Sequence, residues 1–212
     1  MDEDLKRLIR ERYPFPIAHA HKKTLACLND DAQKLKCVIQ TAETVIQFLA
    51  LVMLAQLHRD LEHQQAPALS SQGEYLRDDL RHPSFGKWHG ILRDVLKQYH
   101  LQCHLLVMPE LFDFYFQPAR GKTLRLQPVV TQAIEPLMAL RNRFHHPGIP
   151  DHQIPEAIAA GLLWLEQVLA GLRFLSTYQM AFVQDIKVRY PAQTTPSLQP
   201  RAAPDGWVLQ HV

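Results

Sequence analysis

The sequence is short of the features that usually announce a function. Only three cysteines occur, Cys27, Cys37 and Cys103, an odd number without a CxxC pair, so neither a disulfide framework nor a zinc-ribbon pattern is expected. Charge of one sign is also missing. With 23 basic against 21 acidic residues, the net charge of +2 sets up no global field for nucleic acid, and any such binding must come from a local patch. No charged-then-apolar signal segment precedes Asp2-Glu3-Asp4, and a reducing cytoplasm is the expected location. The richest apolar stretch, Val45 to Leu57, is too short for a bilayer and is interrupted by Gln47 and Gln56, so no membrane partner is expected. Gly121-Lys122-Thr123 lacks the upstream glycine of a phosphate-binding P-loop. Nothing supplies a carboxylate cluster for two-metal hydrolysis, or a nucleophilic Ser or Cys with an identifiable base. No cofactor is expected.

What the chain does have is helical periodicity. At 212 residues it is long enough for one domain with a substantial core and a small appendage. Residues 1–12 read as a short charged helix, and Tyr13-Pro14-Phe15-Pro16 as an extended elbow anchored by its rings, because residues before proline avoid the helical region. From about Leu25 to Leu61, apolar residues recur at spacings of three and four: Leu28, Leu35, Val38, Ile39, Ala42, Val45, Ile46, Leu49, Val52, Met53 and Leu57. That pattern predicts one long helix, the spine of a bundle. Glu43 sits at the margin of its buried stripe, where a carboxylate needs a partner; it either pairs two helices or orients a residue of the functional site.

Gln64 to Pro83 is polar and reads as a surface connection. Ser84 offers an N-cap to a second helix with Phe85, Trp88, Ile91, Leu92, Val95 and Leu96 at helical spacing, ending near Leu101. His100, Cys103 and His104 can share a helical face, but no fourth ligand accompanies them, and packing is the expected role. Pro109 to Phe116 should form one or two aromatic turns beneath a basic loop, whose Arg120, Lys122 and Arg125 can contact phosphates or simply be solvated. Leu126 to Phe144 resumes the 3.6-residue period with a bend at Pro136, and Pro155 opens a further helix through Leu175. Beyond Tyr178, the alternation of residues 181–190 reads as a strand, with 206–209 as a partner. The expected organisation is an all-α bundle over 1–178 and a short β-rich extension over 179–212, possible start of a truncated second domain.

The densest polar chemistry lies at Leu140-Arg141-Asn142-Arg143-Phe144-His145-His146-Pro147-Gly148. Arg141 shares a stripe with Ile134, Leu137 and Phe144, which aims a permanent charge toward the apolar side. Asn142 and His146 lie four apart on another face, and Pro147 disfavours helical backbone at His146. A capped helix terminus would use the same residues, since Arg and His favour the negative end of the helix dipole. An arginine followed after four to six residues by a histidine carries little by itself, because Arg12 to His19, Arg77 to His82 and Arg93 to His100 fit that pattern too.

Between two long amphipathic patterns, however, this segment resembles the HEPN superfamily, whose members typically carry Leu-Arg-Asn-Arg, two further residues, His and often Gly. Here Pro147 precedes Gly148, and His145 takes a position usually filled by a small residue. The resemblance extends over roughly residues 13 to 180, including Tyr-Pro-Phe-Pro-Ile-Ala at 13–18, the long helix around Glu43, and Phe85-Gly-Lys-Trp88. It implies a helical bundle that dimerises and often cleaves RNA without metal, with two such helix ends meeting across the dimer. Arg141, Asn142 and His146 would be the catalytic set, with His145 and Glu43 accessory, and Arg120, Lys122, Arg125 and Arg143 would bind RNA. An imidazole handles protons near neutral pH, and a guanidinium bridges phosphate oxygens. The expected role is an effector in toxin–antitoxin or antiviral defence, with an antitoxin or a larger defence complex as partner. A non-catalytic HEPN module that dimerises or binds nucleotides within a larger regulatory protein is the alternative.

Overall fold

Helix α1 (Glu3–Arg12) starts where the Asp2 carboxylate accepts the Asp4 amide at 3.3 Å, and it buries Leu5 and Ile9. The computed structural model describes residues 2–27, 30–62, 80–117, 124–146, 148–183 and 206–211. Tyr13 ends α1 in extended backbone, and its hydroxyl donates to the Leu169 carbonyl at 2.6 Å. Tyr13 thus anchors an elbow that is shorter than expected, Tyr13–Pro14 alone, because Phe15 and Pro16 already belong to the next helix. Phe15 is 63% exposed and stacks on His19 at the surface instead.

Pro16 falls in the first turn of α2 (Phe15–Ala26), where its missing N–H costs nothing. The long helix expected from Leu25 begins only with α3 (Asp31–Glu62). Leu25 belongs to α2, and Cys27 leaves the helix with ψ 88°. Asp30 explains the break, because its carboxylate accepts the Gln33 amide at 3.1 Å and starts a new helix. Helix α3 is nevertheless the spine: Leu35, Val38, Ile39, Ala42, Val45, Ile46, Leu49, Met53 and Leu57 are all buried, against α2 and the helices Phe85–Gln98 and Ile154–Gly171. By length and composition α3 and residues Asp151–Gly171 would suffice to cross a membrane, which the sequence reading had not expected. In α3, 61% of that apolar window is buried inside the bundle, as suits a core spine.

The Ser84 hydroxyl accepts the Lys87 amide at 3.4 Å to cap α4 (Phe85–Gln98), whose six expected apolar residues are buried. The helix stops at Gln98, and Cys103–Leu105 form a separate 3-10 turn, so His100, Cys103 and His104 do not share one helix. Gln56, which interrupts the apolar run of α3, is buried and holds this turn: its amide donates to the Leu105 carbonyl and accepts the Val107 amide, both at 2.8 Å. Beside it, burial would raise the Asp60 pKa, but hydrogen bonds from Tyr99 (2.7 Å), Arg59 and Gln56 outweigh burial and hold it low.

Aromatic α5 (Glu110–Tyr115) leads into β1 (Phe116–Gln117), which pairs antiparallel with β2 (Arg125–Leu126). Ahead of Pro136 the helical hydrogen-bond register changes. Lacking an N–H, Pro136 follows a five-residue π turn, Val130–Ile134, in which the Glu135 amide reaches back to the Val130 carbonyl. Helix α6 (Glu135–His145) continues from there, and after a 3-10 turn at Asp151–Gln153 comes α7 (Ile154–Gly171). Strand β3 (Tyr178–Val183) pairs antiparallel with β4 (Gly206–His211), Tyr178 opposite His211 and Val183 opposite Gly206. The fold is mostly helical, a bundle with a two-stranded C-terminal ladder.

One buried group makes this fold sensitive to acid. His89 is 4% exposed, stacks on buried Tyr115 at 5.8 Å, and has no hydrogen-bond partner for Nε2 among the described residues. Burial first, then the Arg93 cation, lower its pKa to about 4, with Asp94 opposing. Between that value and the ordinary 6.5 the unfolded chain binds the extra proton, so stability is full above pH 6.5 and falls as pH drops toward 4. The loss expected from this group is roughly 3 kcal/mol. Thermal melts between pH 7 and 4 should show it, with a flatter profile for His89→Phe; equal slopes would contradict the assignment.

Candidate functional site

The site is built by the packing of one leucine. Leu137 belongs to the main core, whereas Leu140 enters a second cluster with Leu35 and Ile39 of α3 and Ile154 and Ile158 of α7. A Cβ on Gly161 of α7 would lie 3.0 Å from Leu140 and 3.1 Å from Val38, so glycine is what lets the three helices approach there. Arg141, about 100° further round α6, is carried to the margin of this cluster. It is half-buried; its Nε is buried without a hydrogen-bond partner among the described residues, and its Nη1 donates to Asn142 Oδ1 at 3.4 Å. No carboxylate pairs with Arg141 among the described residues.

The stop signal works locally. His146 leaves the helix at φ −150°, ψ 106°, while its amide still donates to the Asn142 carbonyl at 2.8 Å. Gly148 has φ 100°, a conformation that favours glycine, and its amide closes on the Arg143 carbonyl at 3.0 Å. Asn142, Arg143, His145 and His146 are exposed, and the two imidazole rings lie 6.4 Å apart. The arrangement combines a guanidinium without a carboxylate partner among the described residues, an amide touching it, and two solvent-exposed imidazoles. A phosphate fits the first and proton transfer the last.

The remaining expected residues are dispersed. Glu43 is half-buried and lines the α2–α3 groove with His19 and Lys23; no hydrogen bond or ion pair joins it to Arg141 or His146 among the described residues. Arg125 is exposed at the start of β2, opposite Gln117, and Arg120 and Lys122 lie outside the described residues. Arg143 donates to Gln153 Oε1 at 3.3 Å, and the Gln153 amide lies 3.3 Å from His152 Nε2. Sequence reasoning had missed Gln153 and His152, because a three-residue 3-10 turn has no periodicity to reveal it. No group of three or more His, Cys, Asp or Glu side chains among the described residues is arranged to hold a metal ion. Compared with protein-family profiles, curated proteins and solved structures, the chain matches none.

If Arg141 were a structural residue, removing its charge would cost stability. Arg141 is half-buried and its Nε has no partner among the described residues, so Arg141→Met should leave stability unchanged or raise it by up to about 1 kcal/mol. Leu140→Ala should cost about 2–5 kcal/mol. Urea denaturation of both variants measures the contrast, and a large loss for Arg141→Met would make the guanidinium a packing element.

Proposed function

We propose that this chain is a HEPN-like endoribonuclease domain that cleaves RNA through attack of its own 2′-hydroxyl on the adjacent phosphorus. The observation that carries the reading is the Arg141 guanidinium, held at a half-buried helix end with no carboxylate partner among the described residues, beside exposed His145 and His146. In this reading Arg141 binds the non-bridging phosphate oxygens and stabilises the charged phosphorane. His146 moves the proton at the 2′-oxygen or the 5′-leaving oxygen, and a second imidazole, His145 or the partner copy's histidine, serves the other end. Asn142 is a positioning residue: its side chain accepts from Arg141 and its carbonyl takes the His146 amide. Arg143 and Arg125 are exposed and suit the flanking phosphates, with Arg120 and Lys122 as further contacts.

The proposal includes a cytoplasmic homodimer whose two α6 ends face a common cleft, acting in toxin–antitoxin or antiviral defence with an antitoxin or larger complex as partner. A non-catalytic dimerisation or nucleotide-binding module would use the same basic helix end, since Arg143, His145 and His146 also complement the helix dipole.

Cleavage should persist in EDTA and leave a 2′,3′-cyclic phosphate. His146→Ala should reduce the rate about 10²–10⁴-fold, and Arg141→Lys should rescue poorly, because a point charge lacks the guanidinium fork. Gel and mass analysis of cleaved RNA, with light scattering for assembly, provides the readout. Dependence on added divalent metal, or full activity in a folded dimer lacking both His146 and Arg141, would leave the interaction module as the better account.

A further inference from the structure

Cys27 and Cys37 meet across the break between α2 and α3, with their Sγ atoms 3.0 Å apart. Both are free thiols, Cys27 half-exposed where α2 ends and Cys37 buried in the second turn of α3. The backbone around them is tied. The Cys37 carbonyl accepts from the Thr24 hydroxyl at 3.0 Å and from Thr41 at 2.9 Å, and those two hydroxyls lie 2.8 Å apart. Thr24 precedes Cys27 on α2 and Thr41 follows Cys37 on α3, so these bonds hold the two helices together beside the sulfur pair. Cys37 also lines a groove of about 430 Å³ between α2 and α3, along with His19, Lys23 and Glu43. Small solutes therefore approach the pair from the Cys27 turn and from this groove.

We propose that Cys27 and Cys37 are a redox-sensitive thiol pair, closed to an intrachain disulfide by low-molecular-weight disulfides of the glutathione class. The Cys27 thiolate, the more accessible, attacks one sulfur of the small disulfide; a mixed disulfide forms and one thiolate leaves. Cys37 then attacks Cys27 Sγ, the Cys27–Cys37 bond forms, and the second small thiolate leaves. Two electrons pass from the protein to the small disulfide, and the two cysteine protons end on the two released thiols. Burial, then the hydrogen bond with Cys27, push the Cys37 thiol pKa up, which disfavours Cys37 as the first attacker and leaves that step to Cys27. The pair bears on the helix end described above: Leu35 and Ile39 each lie two residues from Cys37, on the opposite face of α3, where they hold Leu140. Closure would covalently fix the turn of α3 on which α6 rests.

The test uses the full chain, incubated with oxidised and reduced glutathione at graded ratios and then alkylated. Oxidation should remove two of the three titratable thiols, lower the intact mass by two hydrogens and give a Cys27–Cys37 peptide, leaving Cys103 free. The Tm should rise by about 5–10 °C, as expected for a short closed loop in a domain of this size. Cys103→Ser should behave as wild type, and Cys27→Ser should lose both the cross-link and the Tm shift. Three thiols surviving excess oxidised glutathione, a persistent glutathione adduct on folded wild type, or a cross-link through Cys103 would overturn the proposal. None of these readouts requires RNA cleavage.

Discussion

The arrangement depends on the close contact of α6 with α3 and α7 at Leu140. Five buried side chains, Leu35, Ile39, Leu140, Ile154 and Ile158, form a cluster apart from the main core, and Gly161 allows the approach. Fully burying a side chain of this type contributes about 1.5–3 kcal/mol, so the cluster dominates the energetics of this end of the bundle. The polar groups follow geometrically. Once Leu140 is fixed, Arg141 must lie along the cluster's edge, and Asn142, Arg143 and His145 turn outward. Pro147 then makes extended backbone favourable for His146.

The buried polar groups near the C-terminus of α3 and the Arg141 guanidinium that α6 brings to its N-terminal half are treated in opposite ways. Near the α3 C-terminus, Gln56 and Asp60 are buried and satisfied: Gln56 bonds Leu105 and Val107 of the following segment, and Asp60 accepts from Tyr99 and from Gln56 and Arg59 of α3 itself. Such a network clamps loop to helix because every broken bond leaves a buried group unpaired. Near the N-terminal half of α3, where α6 arrives, Arg141 has one long contact and a buried Nε without a partner among the described residues. Buried polar groups are normally satisfied, and an unsatisfied cation beside exposed imidazoles is better placed to receive an anion than to hold helices together.

Signals local in sequence were the legible ones. The α3 stripe, the Ser84 cap, the irregular turn before Pro136 and the helix stop at His146 and Gly148 each arise from a few neighbouring residues. The α2–α3 break was hidden because Leu25 and Leu28 continue the helical spacing through it, and only the Asp30 cap decides otherwise. Gln56 looked like an interruption in an apolar face because its partners lie 49 and 51 residues away. The Cys27–Cys37 pair escaped notice for the same reason: its spacing matches no short motif, and the two sulfurs meet only through the packing of α2 on α3. At the candidate site, the gathering of Arg141, Asn142, Arg143, His145 and His146 at one helix end was legible. Gln153 required the tertiary fold, and Glu43 proved to line a different groove.

The central claim is that the Arg141 helix end receives an RNA phosphate. Side-chain NMR of the arginine Nε–Hε and histidine imidazole resonances, recorded during titration with a 2′-O-methyl RNA oligonucleotide that binds but cannot be cut, tests it most directly. The account predicts that the Arg141 Nε–Hε and His146 signals shift together and saturate with the same affinity, ahead of Arg59 and Arg173, which lie elsewhere on the bundle. Binding that shifts other arginines while Arg141 and His146 stay unmoved, or no binding at micromolar protein, would contradict it.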